Sequence, residues 1–252
     1  MMDHKILELK VALVTGAGRN IGRAIALALA RAGAAVVVNV RTNIEEGKAV
    51  VEEIIAAGGR ASLCAADVTD RVQVDAMMAS VRQDYGRLDI LVNNAALRNE
   101  CGFENLRYTD WRQVMNVCLD GAFHCTQAAL PMLKAGGSAS VINIGGLTAH
   151  TGAVDRVHVV AAKSGLVGMT RALAHELSPQ GITVNCVAPG MMDTQRQAAA
   201  GAPHHHATQS TLIGRRGRPD EIAEAVLWLT GPGGRFVTGQ VIHLNGGAFL
   251  GG

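Results

Sequence analysis

Three groups of residues in this chain have types and spacings that could do chemistry. The first is Thr15-Gly16-Ala17-Gly18-Arg19-Asn20-Ile21-Gly22, which follows the apolar run Val11–Val14. Behind it Ile21, Ala24, Ile25, Ala28 and Leu29 recur at helical spacing. Glycines at such a strand-to-helix turn let the backbone approach a diphosphate. The helix N-terminus adds free N–H donors and a positive dipole end. The spacing of Gly16, Gly18 and Gly22 is looser than G-x-G-x-x-G, so an ordinary glycine-rich turn stays open as a reading. The second group lies at the end of the next apolar run, Val38-Asn39-Val40-Arg41. A carboxylate there would bind a ribose 2′-hydroxyl and repel a 2′-phosphate. None is present, and Arg41 with Arg19 could make charge-assisted bonds to a phosphate. Both arginines are also readable as solvated surface residues. The third group is the histidines His150, His158 and His204–His206. Imidazoles carry protons near neutral pH, although any of them can be a structural or surface residue.

The elements that must position these residues are legible as alternating patterns. Val11–Val14, Val36–Val40, Ile90–Val92, Val141–Ile144 and Ile182–Val187 are apolar on both faces and rich in β-branched residues, the mark of strands buried in a parallel sheet. A last strand is expected at Gln240–Leu244. Helical patterns fill the intervals: Ile21–Arg31, Ile44–Ala57, Asp70–Tyr85, Asp110–Leu133, His158–Leu177 and Pro219–Leu229. Strict alternation predicts an α/β fold: a single doubly wound Rossmann domain over residues 1–252, with a seven-stranded, mostly parallel sheet and helices on both faces. Asp193–Gly217 has few such signals and is expected to be a mobile loop with a short helix.

Bulk properties narrow the function classes. The chain has 252 residues, 48% of them hydrophobic, enough for a large core. Aromatic residues are only 3%, so Ala, Val, Leu and Ile must fill it. The formal net charge is +2 with no basic run, which argues against nucleic acid as a partner. Apolar runs break well before a span of ~20 residues, so no membrane partner is expected. Cys64, Cys101, Cys118, Cys125 and Cys186 are scattered, without a C-x-x-C pair, and Met1 to Glu8 lacks an apolar stretch. Both fit reduced thiols in a cytoplasmic protein. Adjacent histidines point in different directions, and no Cys or carboxylate stands at ligand spacing from them, so no metal is expected.

These segments together resemble the short-chain dehydrogenase/reductase family, from Leu9 to Gly247, with its 3-oxoacyl-carrier-protein reductase-like members most similar. Thr15–Gly22 matches T-G-x-x-x-G-x-G except that Asn20 replaces the middle glycine. Asp67-Val68 matches the pair after strand three that touches the adenine in the family. Asn93-Asn94-Ala95-Ala96 matches N-N-A-G, with Ala96 for Gly. Asn116 matches an active-site asparagine, and Pro189-Gly190 with Thr194 matches P-G-x-x-x-T, whose threonine holds the nicotinamide carboxamide. Gly217-Arg218-Pro219 and the Thr238-Gly239-Gln240 ending are similar as well. The resemblance implies a nicotinamide cofactor, NADP rather than NAD from Arg41 and Arg19. It also implies a small-molecule substrate and a homo-oligomer, tetramer or dimer, with a mixed oligomer possible in principle.

The resemblance also implies a Tyr-x-x-x-Lys pair, four apart on one helical face, and a serine about thirteen residues before the tyrosine. The lysine is Lys163. The tyrosine position then falls on Val159 and the serine position on Gly146. Neither side chain donates a proton, and general acid–base help of ~10²–10⁴-fold would have to come from elsewhere. Candidates are His150, beside Thr148 in the loop after strand five, and His158, although one residue along a helix is rotated by about 100° from Lys163's face. Three readings follow. The first is an oxidoreductase passing hydride between NADP and a carbonyl or alcohol, with Lys163, Asn116, His150 and His158 as catalytic candidates. The second is a non-catalytic cofactor-binding homologue or partner subunit of an active reductase. The third, a non-redox elimination or isomerisation, has no positive support.

Overall fold

The computed structural model describes residues 5–194 and 210–251. The β-branched apolar runs form strands because their side chains can pack on both faces of a sheet. In chain order the main elements are β1 (Val11–Val14), α1 (Asn20–Arg31), β2 (Ala35–Val40), α2 (Ile44–Ala56), β3 (Arg60–Ala65), α3 (Arg71–Tyr85), β4 (Ile90–Asn93), α4 (Tyr108–Met115) and α5 (Gly121–Ala135). There follow β5 (Ala139–Ile144), the single turn α6 (Thr148–Thr151), α7 (Val157–Leu177), β6 (Ile182–Pro189), α8 (Pro219–Thr230) and β7 (Val241–Leu244). The seven strands lie in the order β3-β2-β1-β4-β5-β6-β7. Every neighbouring pair is parallel, so the expected "mostly parallel" sheet is parallel throughout.

Alternate strand residues feed two cores, as the two-residue period of a strand requires. Ala12, Val14, Val36, Val38 and Ile142 pack under α1, α2 and α8. Val11, Leu13, Val37, Leu91 and Val141 pack under α3, α5 and α7. Small residues on α1, Ala24, Ala28 and Gly22 among them, sit buried in the first core. The direction of strand addition reverses between β1 and β4. In open α/β sheets that switch point opens a crevice at the carboxyl ends of the strands.

Two expectations need correction. Strand three carries no apolar run. It is the edge strand Arg60–Ala65, only partly buried, so its sequence is not driven to be apolar on both faces. The helix expected over Asp110–Leu133 is not continuous. It divides into α4 and α5 around a π-helical turn, Asn116–Asp120. Gly121, just after that turn, packs so close to Val68 that a Cβ would overlap its methyl group. Most of the Asp193–Gly217 stretch, with His204–His206, lies outside the described residues. Its ends are joined: Gly217 donates to the Met191 carbonyl and Asp193 to that of Gly217.

At the opposite, amino-terminal edge of the sheet Asp89 is almost fully buried. Its carboxylate accepts from the Val11 amide (3.0 Å), from Arg87 Nε and Nη2 (2.8 and 2.6 Å) and from Lys10 Nζ (3.1 Å). Burial pushes the carboxyl's pKa up, but Arg87, the Val11 amide and Lys10 outweigh it and hold it below the ordinary aspartate value. The Asp89 carboxylate therefore stabilises the fold above the unfolded-state value of about 3.9. That contribution disappears as pH falls through the lower folded-state value. Asp89→Ala leaves the buried Val11 amide without its acceptor and the part-exposed Lys10 and Arg87 without their counter-charge, and is expected to cost about 1–3 kcal/mol, or about 2–12 °C in Tm. Thermal unfolding at pH 7 and pH 3 checks both statements: the gap between wild type and variant narrows at the lower pH.

Candidate active site

The turn between β1 and α1 is fixed by side chains from its neighbours. Thr15 is almost fully buried. Its hydroxyl donates to the Val92 carbonyl (3.3 Å) and accepts from the Asn94 and Ala95 amides (2.9 and 3.0 Å). The Asn94 side chain donates to the Thr15 and Gly16 carbonyls (2.8 and 3.0 Å). On the other side buried Asn39 accepts from the Gly16 amide (3.4 Å) through its side chain and from the Ala17 amide (2.9 Å) through its backbone. Its Nδ2 donates to the Cys64 and Ala66 carbonyls (3.2 and 3.0 Å). The turn is thus held to β2, β3 and β4 at once.

Its glycines meet the geometric demands of a phosphate cradle. Gly16 has φ +62°, and a Cβ there would lie 3.1 Å from Ala95 Cα. A Cβ on Gly22 would overlap the Gly16 carbonyl oxygen. Gly18 packs against Val40 and Glu46, whose carboxylate stands beside the turn. Asn20, where the resemblance implies a glycine, has φ +50°. Asparagine is among the few non-glycine residues that enter this left-handed region readily, so the replacement keeps the backbone path. Arg19, the N-cap of α1, is exposed and makes no side-chain bond to the first turn. These features fit a dinucleotide pyrophosphate.

At the end of β2, Arg41 is half exposed and faces Asp67 at 3.8 Å. Asp67 also accepts from the Thr69 amide and hydroxyl (2.9 and 2.8 Å). Val68 is buried against α5.

A cavity of about 90 Å³ opens at the switch point. It is lined by Ile21 of α1 and by Asn94, Ala96 and Arg98 after β4. Ile144, Gly145, Gly146, Leu147 and Thr148 line it from the end of β5, Arg156, Val159 and Lys163 from α7 and its entry, and Pro189, Gly190, Met191, Met192 and Thr194 after β6. Of the expected site residues the fold thus brings together Ile21, Asn94, Lys163, Pro189, Gly190 and Thr194. Lys163 is buried, and its Nζ donates to the Ile144 carbonyl at 2.6 Å. Burial lowers its pKa, and the positive charge of Arg98 adds to that. Val159 lies one helical turn before it on the same face. With Gly146 it presents no polar side-chain atom to the cavity.

The expected proton carriers lie elsewhere. The His150 ring packs edge-on against His243 (4.5 Å between centroids) and near Phe249 (5.7 Å). Burial, then His243 and Arg171, lower its pKa. His158 is fully buried, and neither ring nitrogen makes a hydrogen bond of normal geometry. Burial and Arg156 lower its pKa, against a smaller opposing effect of Asp110. The Asn116 side chain accepts from Arg112 (2.9 Å) at the start of the π-helical turn rather than lining the cavity. Among the described residues no cluster of three or more His, Cys, Asp or Glu could hold a metal. No described helix is long and apolar enough to cross a membrane.

Sequence reasoning missed Asn39, Asn143, Arg98 and Arg156. Buried Asn39 and Asn143 interrupt apolar strand runs, which was a readable signal of tethering. Nothing in the sequence marks Arg98 or Arg156, which become neighbours of the cavity only when two loops meet.

Comparison with known proteins fits this geometry. The family described as enoyl-(acyl carrier protein) reductase matches residues 16–248. The 3-oxoacyl-(acyl-carrier-protein) reductase FabG of Staphylococcus aureus is 37% identical over 242 residues, covering 96% of this chain and 98% of that protein. The (2S)-((R)-hydroxy(phenyl)methyl)succinyl-CoA dehydrogenase subunit BbsD of Thauera aromatica is 38% identical, with 97% and 98% covered. A crystal structure of a dehydrogenase/reductase from Sinorhizobium meliloti superposes with a TM-score of 0.92 at 38% identity, covering 99% of each chain. A short chain dehydrogenase from Burkholderia cenocepacia in complex with NADP superposes with a TM-score of 0.89 at 37% identity, with 96% and 98% covered. With its parallel sheet, its glycine turn at the switch point and relatives matched along nearly their whole length, the chain belongs to the short-chain dehydrogenase/reductase family.

Proposed function

We propose that this protein is an NADP-dependent oxidoreductase that interconverts a carbonyl and an alcohol, with Lys163 in the proton-transfer role. The observation that carries this reading is one cavity lined together by Ile21 of the α1 entry, Asn94 and the buried Lys163. The bound cofactor would supply the hydride. The backbone of Thr15–Gly22 would hold its pyrophosphate, and Arg41 with Arg19 its 2′-phosphate. The NADP in the Burkholderia cenocepacia relative supports this choice. Asp67 and Val68 would meet the adenine, and Ala95, Pro189, Gly190 and Thr194 the nicotinamide.

Gly146 and Val159 stand where the family resemblance places a serine and a tyrosine. Among the cavity's described side chains Lys163 is the one whose proton can come and go, because guanidinium groups stay protonated. Lys163 Nζ would give a proton to the substrate oxygen as hydride reaches the carbonyl carbon. The amine would then recover a proton from water. Thr148, which lines the same cavity, would hold the substrate oxygen. A relay through His150 or His158 would need one of those rings to leave its packing.

Purified protein with NADPH and a panel of ketones tests the reading. Turnover is expected to survive His150→Gln and His158→Gln. Lys163→Met is expected to lower kcat by about 10²-fold or more. Reduction needs protonated Nζ, so the wild-type rate should fall as pH rises through the folded-state value, which lies below that of an ordinary lysine. Tight NADPH binding with no turnover of any carbonyl would instead favour the non-catalytic binder or partner subunit. Cofactor choice is read separately by fluorescence titration. Arg41→Ala should weaken NADPH binding about tenfold and leave NADH binding unchanged; equal affinity of the wild type for both would overturn the 2′-phosphate assignment.

A further inference from the structure

One carboxylate beside the glycine turn is explained by neither the packing nor the ion pairs of α2. Gly47, in the first turn of that helix, is buried, and a Cβ there would overlap Leu63 and crowd Val40. This close approach seats α2 on β2 and β3. It also carries the preceding residue, Glu46, to the turn between β1 and α1. The Glu46 Cβ lies 3.2 Å, and its Oε2 3.5 Å, from the place a Cβ on Gly18 would take. Val40 Cγ1, at the end of β2, is 3.1 Å from that same place. Two other acids of α2 are engaged: Glu45 accepts from Lys48 (2.8 Å), and Glu53 pairs with Arg23. Glu46 is partly buried and has no hydrogen bond or ion pair among the described residues. The positive end of the helix dipole favours negative charge there.

A carboxylate accepts hydrogen bonds and donates none. Beside a cradle for a diphosphate it gains nothing from the phosphates and needs a donor. The part of a dinucleotide that bridges the glycine turn and the end of β2 is the adenosine ribose, and its donors are hydroxyls. We infer that Glu46 accepts a hydrogen bond from the 3′-hydroxyl of that ribose, a cofactor contact supplied by α2. The end of β2, where such an acid usually stands, carries Arg41 instead. With Arg41 and Arg19 assigned to the 2′-phosphate, the 3′-hydroxyl is the ribose donor that remains. This inference rests on the NADP reading above.

The test compares NADPH with 3′-deoxy-NADPH by fluorescence titration of the full-length protein, wild type and Glu46→Ala. The two ligands carry the same phosphates, so repulsion between those phosphates and Glu46 cancels in the comparison. The wild type is expected to bind the deoxy analogue about tenfold more weakly. Glu46→Ala should bind both alike. If Glu46→Ala does not fold, as judged by thermal unfolding, Glu46→Gln replaces it. That variant keeps an acceptor without the charge and should retain only part of the difference. NADPH bound as tightly by the wild type as its deoxy analogue overturns the inference and leaves the NADP reading intact. So does a Glu46→Ala protein that binds NADPH more tightly and still distinguishes the two ligands, since the carboxylate then only repels phosphate. A second pair, NADH and 2′-deoxy-NADH, reads the other hydroxyl. A difference confined to that pair and lost in Glu46→Ala moves the contact to the 2′-hydroxyl, which overturns the 3′ assignment and the choice of NADP together. Failure of the wild type to bind either reduced dinucleotide sinks the cofactor reading and this inference with it.

Discussion

The whole site depends on how the β1–β4 seam is closed. At that seam strand order reverses and two loops part, which leaves backbone donors and acceptors that a sheet would otherwise pair. Thr15 and Asn94 satisfy them with side chains, Thr15 toward β4 and Asn94 toward the glycine turn. Buried polar groups that go unpaired are costly, so this lock also dictates the path of the turn. Gly16 and Gly22 follow from it, because the backbone must pass where a Cβ would collide. Asn20 follows too, as a side chain compatible with the left-handed conformation the path requires.

A second polar chain carries that order across the sheet to α7. Asn93 donates to Thr126 of α5 and to Asn143 of β5 (3.0 and 2.9 Å), and Asn143 donates to Thr170 of α7 (2.9 Å). These bonds are buried, where a low dielectric makes them strong and directional. They set the rotation of α7 on the sheet. Lys163 lies about two turns before Thr170 on that helix, and its own bond to the Ile144 carbonyl completes the placement. The ammonium therefore arrives at the cavity through packing that includes no group of the substrate.

Electrostatics divides the sheet into two ends. At the amino-terminal edge Asp89 is matched by Lys10 and Arg87, and the result is stability. At the carboxyl-terminal edge Lys163, Arg156 and Arg98 gather around a cavity whose described lining has no acid. The π-helical turn at Asn116–Asp120 borders the same region, where such turns recur in proteins.

Much of this was readable in the sequence. Two-faced apolar runs alternating with amphipathic stretches can satisfy their side chains in few ways, so the doubly wound parallel fold followed from composition and period. The glycine turn and Asn94 were readable because their spacing answers a local backbone demand. Strand β3 was not, since an edge strand is free of the two-sided burial that makes a strand visible. The break near Asn116 was not, because it depends on how α5 meets Val68. The placement of the histidines was not readable for a related reason: a titratable side chain advertises chemistry in any sequence, but only packing decides whether it reaches a cavity. His150 turned toward His243 and Phe249, His158 into the core, and the lining fell instead to Arg98 and Arg156. The sequence by itself determined the fold and the glycine turn, both products of local pattern. The tertiary structure alone decided which charges share the cavity, because it joins loops more than fifty residues apart and no local rule connects them.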